Sequence, residues 1–137
     1  MKEPTTTLNP YLTFAGKCRE AMTFYKEALD GQLEILSFEG NPVEVPEDYK
    51  DKVMHATLRF GDAVIMAADA MPGQPVDHGN ANALSIACTT IAEAERCFKN
   101  LSSGGIIIMP FEKTFWGAMF GYFTDKYGVS WMVNSEE

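Results

Sequence analysis

Apolar residues in the first half of the chain follow two different periods. Residues 8–14 alternate between apolar and polar side chains, which is the period of a strand. Residues 18–29 are instead apolar at every third or fourth position, which predicts an amphipathic helix that ends at Gly31. The two-residue turn Gly61-Asp62 predicts a hairpin. Short apolar runs that predict three further strands lie at residues 33–38, 53–60 and 63–68.

The second half of the chain repeats this order of elements. Alternation at residues 84–88 predicts a strand, and Thr90-Ile91-Ala92-Glu93 has the form of a capping box, which satisfies free backbone N–H groups where a helix starts. The stripe of the predicted helix consists of Ile91, Ala94, Phe98 and Leu101. Three more apolar runs, which predict strands, lie at residues 106–109, 120–124 and 129–134.

The repeat predicts the α+β fold class, with two βαβββ modules in a single domain formed by residues 1–137. Module one covers about residues 8–68 and module two about residues 83–134. The linker between them, residues 69–82, is rich in proline and glycine. Because each predicted sheet is apolar on both faces, we expect a helix to cover one face and the other face to line a cavity.

Composition narrows the class of protein. A chain of 137 residues with 46% hydrophobic content suits one compact domain, and no apolar run reaches the roughly 18 residues that a membrane span needs. Met1–Pro10 has no signal-peptide pattern, and an odd number of cysteines (Cys18, Cys88 and Cys97) fits reduced thiols, so we expect a cytoplasmic protein without a membrane partner. A net charge of −8 repels phosphate backbones, which argues against nucleic acid as a partner.

The predicted hairpin places a histidine on the cavity face. The turn pairs Phe60 with Ala63 and therefore Thr57 with Met66, so that His55, Thr57 and Arg59 share one face of the sheet with Met66. A histidine there serves as a general base, as a hydrogen-bond donor to a ligand or as a lone metal ligand. The alternative is a sheet histidine satisfied by a neighbouring strand or by water. We predict ligand contact ahead of catalysis.

The two tryptophans have different predicted roles. Phe115-Trp116-Gly117 suits a mobile flap that lays an indole over a ligand, with ordinary packing as the alternative. Trp131 alternates with Ser130 and Met132, which predicts that its side chain packs in the core.

Three further features have a structural and a functional interpretation. Cys18 lies near a helix start, where the helix dipole lowers the pKa of a thiol, but its place in the apolar stripe favours a buried structural thiol. His78 lies in the linker and is expected to be exposed. The acidic segment Glu39–Asp51 is long enough to close over a cavity, although a plain solvated loop describes it more simply.

A set of short motifs resembles one known family in both order and spacing. The chain resembles the PhnB-like branch of the vicinal oxygen chelate superfamily, which also contains the glyoxalases and bleomycin-resistance proteins, over about Leu8 to Asn134. One departure is Lys126-Tyr127, where the family usually has Pro-Phe. The matching residues are Pro10-Tyr11-Leu12, Phe14, Gly16, Cys18, Glu20-Ala21, Phe24-Tyr25, Met54-His55-Ala56, Gly61-Asp62, Met66, Asp69, Pro72-Gly73, Phe115-Trp116-Gly117, Gly121, Asp125, Gly128 and Trp131-Met132.

The resemblance implies two βαβββ modules, a homodimer and, in metal-dependent members, four metal ligands on the first and last strands of the modules. Those positions fall at Asn9 (or Pro10), Met66, Ala83 and Met132 in this chain. None offers the imidazole or carboxylate that zinc, nickel or iron requires, so we expect no metal and no other cofactor.

Three functions follow as hypotheses. The first is a metal-independent binder of a hydrophobic or cationic small molecule, of the bleomycin-resistance type, with ligand contacts from Tyr11, His55, Thr57, Met66, Ser85, Trp116, Ser130 and Met132. The second is a glyoxalase- or dioxygenase-like enzyme that acts on a small metabolite, through His55 with Ser85 or Ser130, or through a non-standard metal site. The third, a ubiquinone-pathway methyltransferase, follows from a label of the family. Against it, the chain lacks the glycine-rich loop between strand and helix that cradles adenosylmethionine.

Overall fold

The computed structural model describes residues 5–137. The first four residues, part of the segment in which we find no signal-peptide pattern, lie outside the described residues. The regular elements are β1 (Tyr11–Phe14), α1 (Cys18–Leu29), β2 (Gln32–Ser37), a short 3-10 helix (Glu47–Tyr49), β3 (Val53–Phe60), β4 (Ala63–Asp69), β5 (Leu84–Ala87), α2 (Ile91–Ser102), β6 (Ile106–Lys113), β7 (Met119–Thr124) and β8 (Ser130–Ser135).

This element order is βαβββ twice, and the α+β prediction is confirmed. The chain divides into two compact units, with residues up to 26 and 30–76 in the first and residues 27–29 and 77–137 in the second. The main boundary therefore lies inside the predicted linker. Neither helix of the described residues is long and apolar enough to cross a membrane.

The first sheet has the strand order β1-β4-β3-β2. Strand β1 runs parallel to β4, and the other neighbours are antiparallel. Strand β1 is shorter than the alternation of residues 8–14 predicts, because regular pairing with β4 begins at Tyr11 and Leu8 is exposed. One face of the sheet is buried. The buried residues on its two central strands are Val53, Ala56, Leu58, Ile65, Ala67 and Asp69.

Helix α1 ends differently from the prediction. The left-handed residue at its end is Asp30, with φ of 54°, and not Gly31. Gly31 is required for space instead, since a Cβ there would lie 2.8 Å from the carbonyl oxygen of Arg59 and 2.9 Å from Leu58 Cδ1. Glycine is needed at this position because the backbone passes close to strand β3, and not because it adopts a left-handed conformation.

A buried carboxylate fixes the start of α1 to the sheet. Asp69, the last residue of β4, accepts the backbone N–H of Cys18 with Oδ1 and that of Val53 with Oδ2, each at 2.9 Å. The first of these bonds satisfies one of the N–H groups that a helix start leaves free. The same carboxylate therefore connects a helix, β4 and β3.

The second sheet has the strand order β5-β8-β7-β6, and α2 packs on β6, β7 and β8. The hydroxyl of Thr90 accepts the N–H of Glu93 at 3.1 Å, which confirms the predicted N-cap. The Phe98 ring on α2 meets the Phe123 ring edge-on, at 5.2 Å between centroids. Gly121 makes this packing possible, because a Cβ there would lie 2.4 Å from the Phe98 ring.

Candidate ligand site on the first sheet

The first sheet presents a row of side chains on the face opposite its buried one. Tyr11 pairs with Met66 across β1 and β4, and Met66 pairs with Thr57 across β4 and β3. The predicted hairpin register is therefore confirmed, and β1 joins the row. His55, two residues from Thr57, lies on the same face. All but Tyr11, which is exposed, are half-buried.

The imidazole of His55 is held by two hydroxyl groups. Tyr11 Oη lies 3.2 Å from Nδ1, and Thr57 Oγ1 lies 3.2 Å from Nε2. The Tyr11 and His55 rings are 5.8 Å apart and inclined at 40°. A neutral imidazole has one N–H donor and one acceptor nitrogen. One hydroxyl therefore donates to the ring and the other accepts from it.

Tyr11 remains a neutral phenol in this arrangement. Although much of the side chain is exposed, partial burial raises the pKa of its hydroxyl above the ordinary value, and the nearby Cys18 thiol raises that pKa further. At neutral pH Tyr11 thus keeps its proton, and it can either donate it to His55 or turn it toward a ligand. The sequence motif included Tyr11 but gave no sign that it would pair with His55, since the two residues are 44 positions apart.

Neither serine expected for a nucleophilic mechanism is a hydrogen-bond partner of His55. The two ring nitrogens of His55 bond to Tyr11 and Thr57. Ser130 is buried, with its hydroxyl 3.3 Å from that of Thr124, and Ser85 is exposed on β5 opposite Met132. A serine nucleophile needs an adjacent base, and the contacts of His55 do not supply one.

The tryptophans differ as predicted in exposure. Trp131 is fully buried, and its Nε1 donates to Asp125 Oδ2 at 2.8 Å. Trp116 is 58% exposed at the β6–β7 turn and lies against the rings of Phe115 and Phe120. The Thr114 hydroxyl donates to the carbonyl of Ala118 and accepts its N–H in this turn, and the role of the turn as a flap over a ligand stays a prediction.

The structure also describes the surroundings of Cys18, His78 and the acidic segment Glu39–Asp51. Burial and the charge of Asp69 raise the pKa of Cys18 to about 12, although the nearby Arg19 lowers it, so the buried structural thiol is the correct interpretation. His78 is half-buried near Gly128 and not simply exposed. The acidic segment Glu39–Asp51 is anchored by a hydrogen bond from the Tyr49 hydroxyl to the carbonyl of Ala70.

The side chains available for a metal do not fit one. Among residues 5–137, no group of three or more histidine, cysteine, aspartate or glutamate side chains is placed to hold an ion. Met66 stands beside Tyr11 and Thr57, and Met132 beside Ser85 and Tyr122. Thioethers are poor ligands for hard divalent cations, so we derive no chemistry through a metal.

Comparison with known proteins agrees with this architecture. At the level of fold, a glyoxalase/bleomycin-resistance protein from Albidiferax ferrireducens aligns with a TM-score of 0.62 at 14% identity, over 96% of this chain and 100% of the other. The chain thus has the vicinal oxygen chelate fold. The family model described as 3-demethylubiquinone-9 3-methyltransferase matches residues 6–134. The chain belongs to this family, the PhnB-like branch of the superfamily.

Three relatives support the assignment. The crystal structure of protein PA1353 from Pseudomonas aeruginosa is 45% identical, with a TM-score of 0.87, over 96% of this chain and 98% of the other. Protein YjdN of Escherichia coli K12 is 33% identical over 93% of each chain. The PhnB protein of Bacillus cereus is 30% identical, with a TM-score of 0.77, over 95% of this chain and 99% of the other.

Proposed function

We propose that this protein binds a small, mainly apolar, neutral or cationic molecule on the open face of the first sheet, without a metal ion. The observation that carries the proposal is the bonding of both imidazole nitrogens of His55 to the hydroxyls of Tyr11 and Thr57. A histidine so engaged offers no nitrogen to a metal. It fixes instead the positions of two hydroxyl groups on an accessible surface.

The two hydroxyls give the site a hydrogen-bonding pattern that matches a ligand with one donor and one acceptor. When Tyr11 donates to Nδ1, Nε2–H donates to Thr57, which leaves the Thr57 proton for a ligand acceptor and a Tyr11 lone pair for a ligand donor. In the other tautomer of His55 these roles are exchanged. The neighbouring Met66, and Leu36 opposite His55 on β2, supply apolar contact.

Net charge restricts the ligand further. The chain carries 19 acidic and 11 basic residues, so its field disfavours anions. Glu34 on β2 lies directly opposite Thr57, and the exposed Arg59, two residues from Thr57 on the same face of β3, offsets its charge, so the expected preference comes from the net charge of the whole chain. Neutral or cationic molecules are therefore the expected class.

An enzyme is the second candidate, and one observation favours it. A chain of hydroxyl, imidazole and hydroxyl groups can pass a proton from one end to the other, as acid–base catalysis on a small metabolite requires. The raised pKa of Tyr11 opposes it, because a general base at neutral pH would have to lose its proton readily. Binding is thus the better supported function.

The methyltransferase description of the family is not carried over to this chain. The turn from β1 to α1 contains a single glycine, Gly16, where adenosylmethionine would need a glycine-rich loop against its adenosine and methionine groups. A cytoplasmic location is proposed as well, because Cys18, Cys88 and Cys97 are all buried free thiols.

Native mass spectrometry of freshly purified protein, together with elemental analysis, tests the proposal. We expect a retained organic mass, or saturable binding of neutral and cationic members of a compound library, with far less than one divalent metal per chain. One zinc or nickel ion per chain after dialysis would overturn metal independence. The absence of binding to any library member, together with no retained mass, would overturn the binding function.

A further inference from the structure

Three aromatic side chains meet at the turn between β6 and β7. Phe115 is 97% exposed and Trp116 is 58% exposed, so neither ring belongs to the core. The Trp116 ring is inclined at 88° to that of Phe115, with 4.9 Å between centroids, and at 62° to that of Phe120, with 6.2 Å. Contiguous exposed apolar surface, unlike scattered single residues, marks interaction sites in soluble proteins. Much of the surface of the Phe115 and Trp116 rings is therefore open to a ligand.

Strand pairing places a carboxylate beside these rings. Glu112 pairs with Phe120 across β6 and β7, and residues paired in this way point to the same face of a sheet. Helix α2 covers the opposite face, because a Cβ at Gly121, the residue after Phe120, would lie 2.4 Å from the Phe98 ring. Lys113, the next residue after Glu112, also points to that opposite face. The rings thus have an acidic neighbour on their own side and no lysine from this part of β6.

Flat rings and a carboxylate suit an organic cation. The face of an aromatic ring carries negative charge density and attracts ammonium groups, and indole does so most strongly. Within the described part of the chain Glu112 forms no ion pair, so no side chain neutralises its charge directly. A methylated ammonium group fits both parts of the site because it combines a positive charge with an apolar surface, whereas a primary ammonium group is strongly hydrated.

We propose that the rings of Phe115, Trp116 and Phe120, together with the carboxylate of Glu112, form a binding site for a quaternary ammonium compound. The ring faces contact the methyl groups of the cation, and the carboxylate supplies the opposite charge. All four residues belong to the second unit, so this site does not depend on the function proposed for the first sheet. It gives a role to two large aromatic side chains that the core does not use.

Titration with choline and with its carbon analogue, in which a tert-butyl group replaces the trimethylammonium group, tests this inference. Ligand-observed NMR follows the methyl protons of either compound at constant ionic strength. We expect choline to bind saturably and the uncharged analogue to bind at least about tenfold more weakly, because only the cation gains from the ring faces and from Glu112. Equal affinity for the two compounds, or no saturable binding of choline, would overturn the inference.

Matched variants separate the contribution of the rings from that of charge. Trp116→Leu keeps an apolar side chain without an aromatic face and should lower the affinity for choline at least about fivefold, and Trp116→Phe should restore most of it. Glu112→Gln should lower the affinity to a similar extent. The control is Glu95→Gln, which removes the same charge from an exposed position on α2 and should bind choline as wild type does.

All three substituted positions are exposed, so folding should survive in every variant. An affinity for choline that neither Trp116→Leu nor Glu112→Gln lowers would place the cation elsewhere and contradict the assignment. An equal loss in Glu112→Gln and Glu95→Gln would show a response to net charge alone, and the role given to Glu112 would then be wrong.

Discussion

The two tryptophans show how one residue type serves two purposes in this molecule. Trp131 lies on β8, is fully buried and donates to Asp125, whose Oδ1 also accepts the backbone N–H groups of Tyr127 and Val129. Trp116 lies in a tight turn, is more than half exposed and lies edge-on to the rings of Phe115 and Phe120. The first indole holds a turn and a strand together, whereas the second is presented to solvent. Their substitutions should therefore have opposite consequences.

Replacement of Trp131 should have the largest effect. Trp131→Ala removes a fully buried aromatic side chain and is expected to lower the free energy of unfolding by about 3–5 kcal/mol, measured by urea denaturation. Trp131→Phe is the control. It retains most of the apolar volume and removes one hydrogen bond of Asp125, so it should cost about 1–3 kcal/mol. A wild-type denaturation midpoint for Trp131→Ala would show that this indole is not part of the core.

Asp69 extends the comparison to polar residues. Asp69→Ala leaves the buried N–H groups of Cys18 and Val53 without acceptors and should cost about 2–4 kcal/mol. Asp69→Asn keeps one acceptor oxygen and should cost less.

His55→Ala, on the accessible face, should lower stability by less than about 1 kcal/mol, because its hydroxyl partners can bond to water. Equal losses of stability for Asp69→Ala and His55→Ala would contradict the assignment of a structural role to Asp69 and of a ligand-binding role to His55.

Trp116→Ala should leave stability nearly unchanged. Substitutions of exposed side chains usually change the free energy of unfolding by less than about 0.5 kcal/mol, and Trp116 is 58% exposed. The melting temperature checks this, and the affinity for any ligand identified by native mass spectrometry shows whether the indole contributes to binding. Destabilisation as great as that of Trp131→Ala would mean that the turn belongs to the core.

The raised pKa of the Cys18 thiol predicts a contribution to stability that depends on pH. Its folded-state pKa is raised from 9.0 to about 12, so folding favours the protonated thiol. This contribution to stability is fully present below pH 9 and is lost as the pH rises through about 12. The stability difference between wild type and Cys18→Ala should therefore narrow over that interval. A difference that stays constant with pH would contradict the raised pKa.

Sequence pattern predicted the elements better than it predicted the contacts between them. Alternation and turn residues gave both βαβββ units, and the Gly61-Asp62 turn fixed the pairing of Thr57 with Met66. Gly31 was assigned the wrong role, because a sequence shows that a glycine is needed but not whether conformation or space demands it. Exposure of Ile106–Met109 was also missed. An apolar run looks the same at a sheet's centre and at its edge, and only strand order separates the two.

The candidate site was predictable in part. Register alone brought His55, Thr57 and Met66 to one face, since they lie on adjacent strands of one hairpin. The hydrogen bond between Tyr11 and His55 depends on the parallel pairing of β1 with β4, which joins segments far apart in the chain and leaves no local signal. The same holds for the bonds of Asp69 to Cys18 and Val53.

The most direct test of the account compares the chain's two histidines for their effect on ligand retention. Native mass spectrometry is run on wild type, His55→Ala and His78→Ala, each freshly purified and each supplied with the same retained or library-selected compound. We expect His55→Ala to lose at least about tenfold in affinity, the effect of about 1.4 kcal/mol, because it removes the group that positions both hydroxyls. His78→Ala should bind as wild type does. Undiminished binding by His55→Ala would contradict a ligand site at Tyr11, His55 and Thr57.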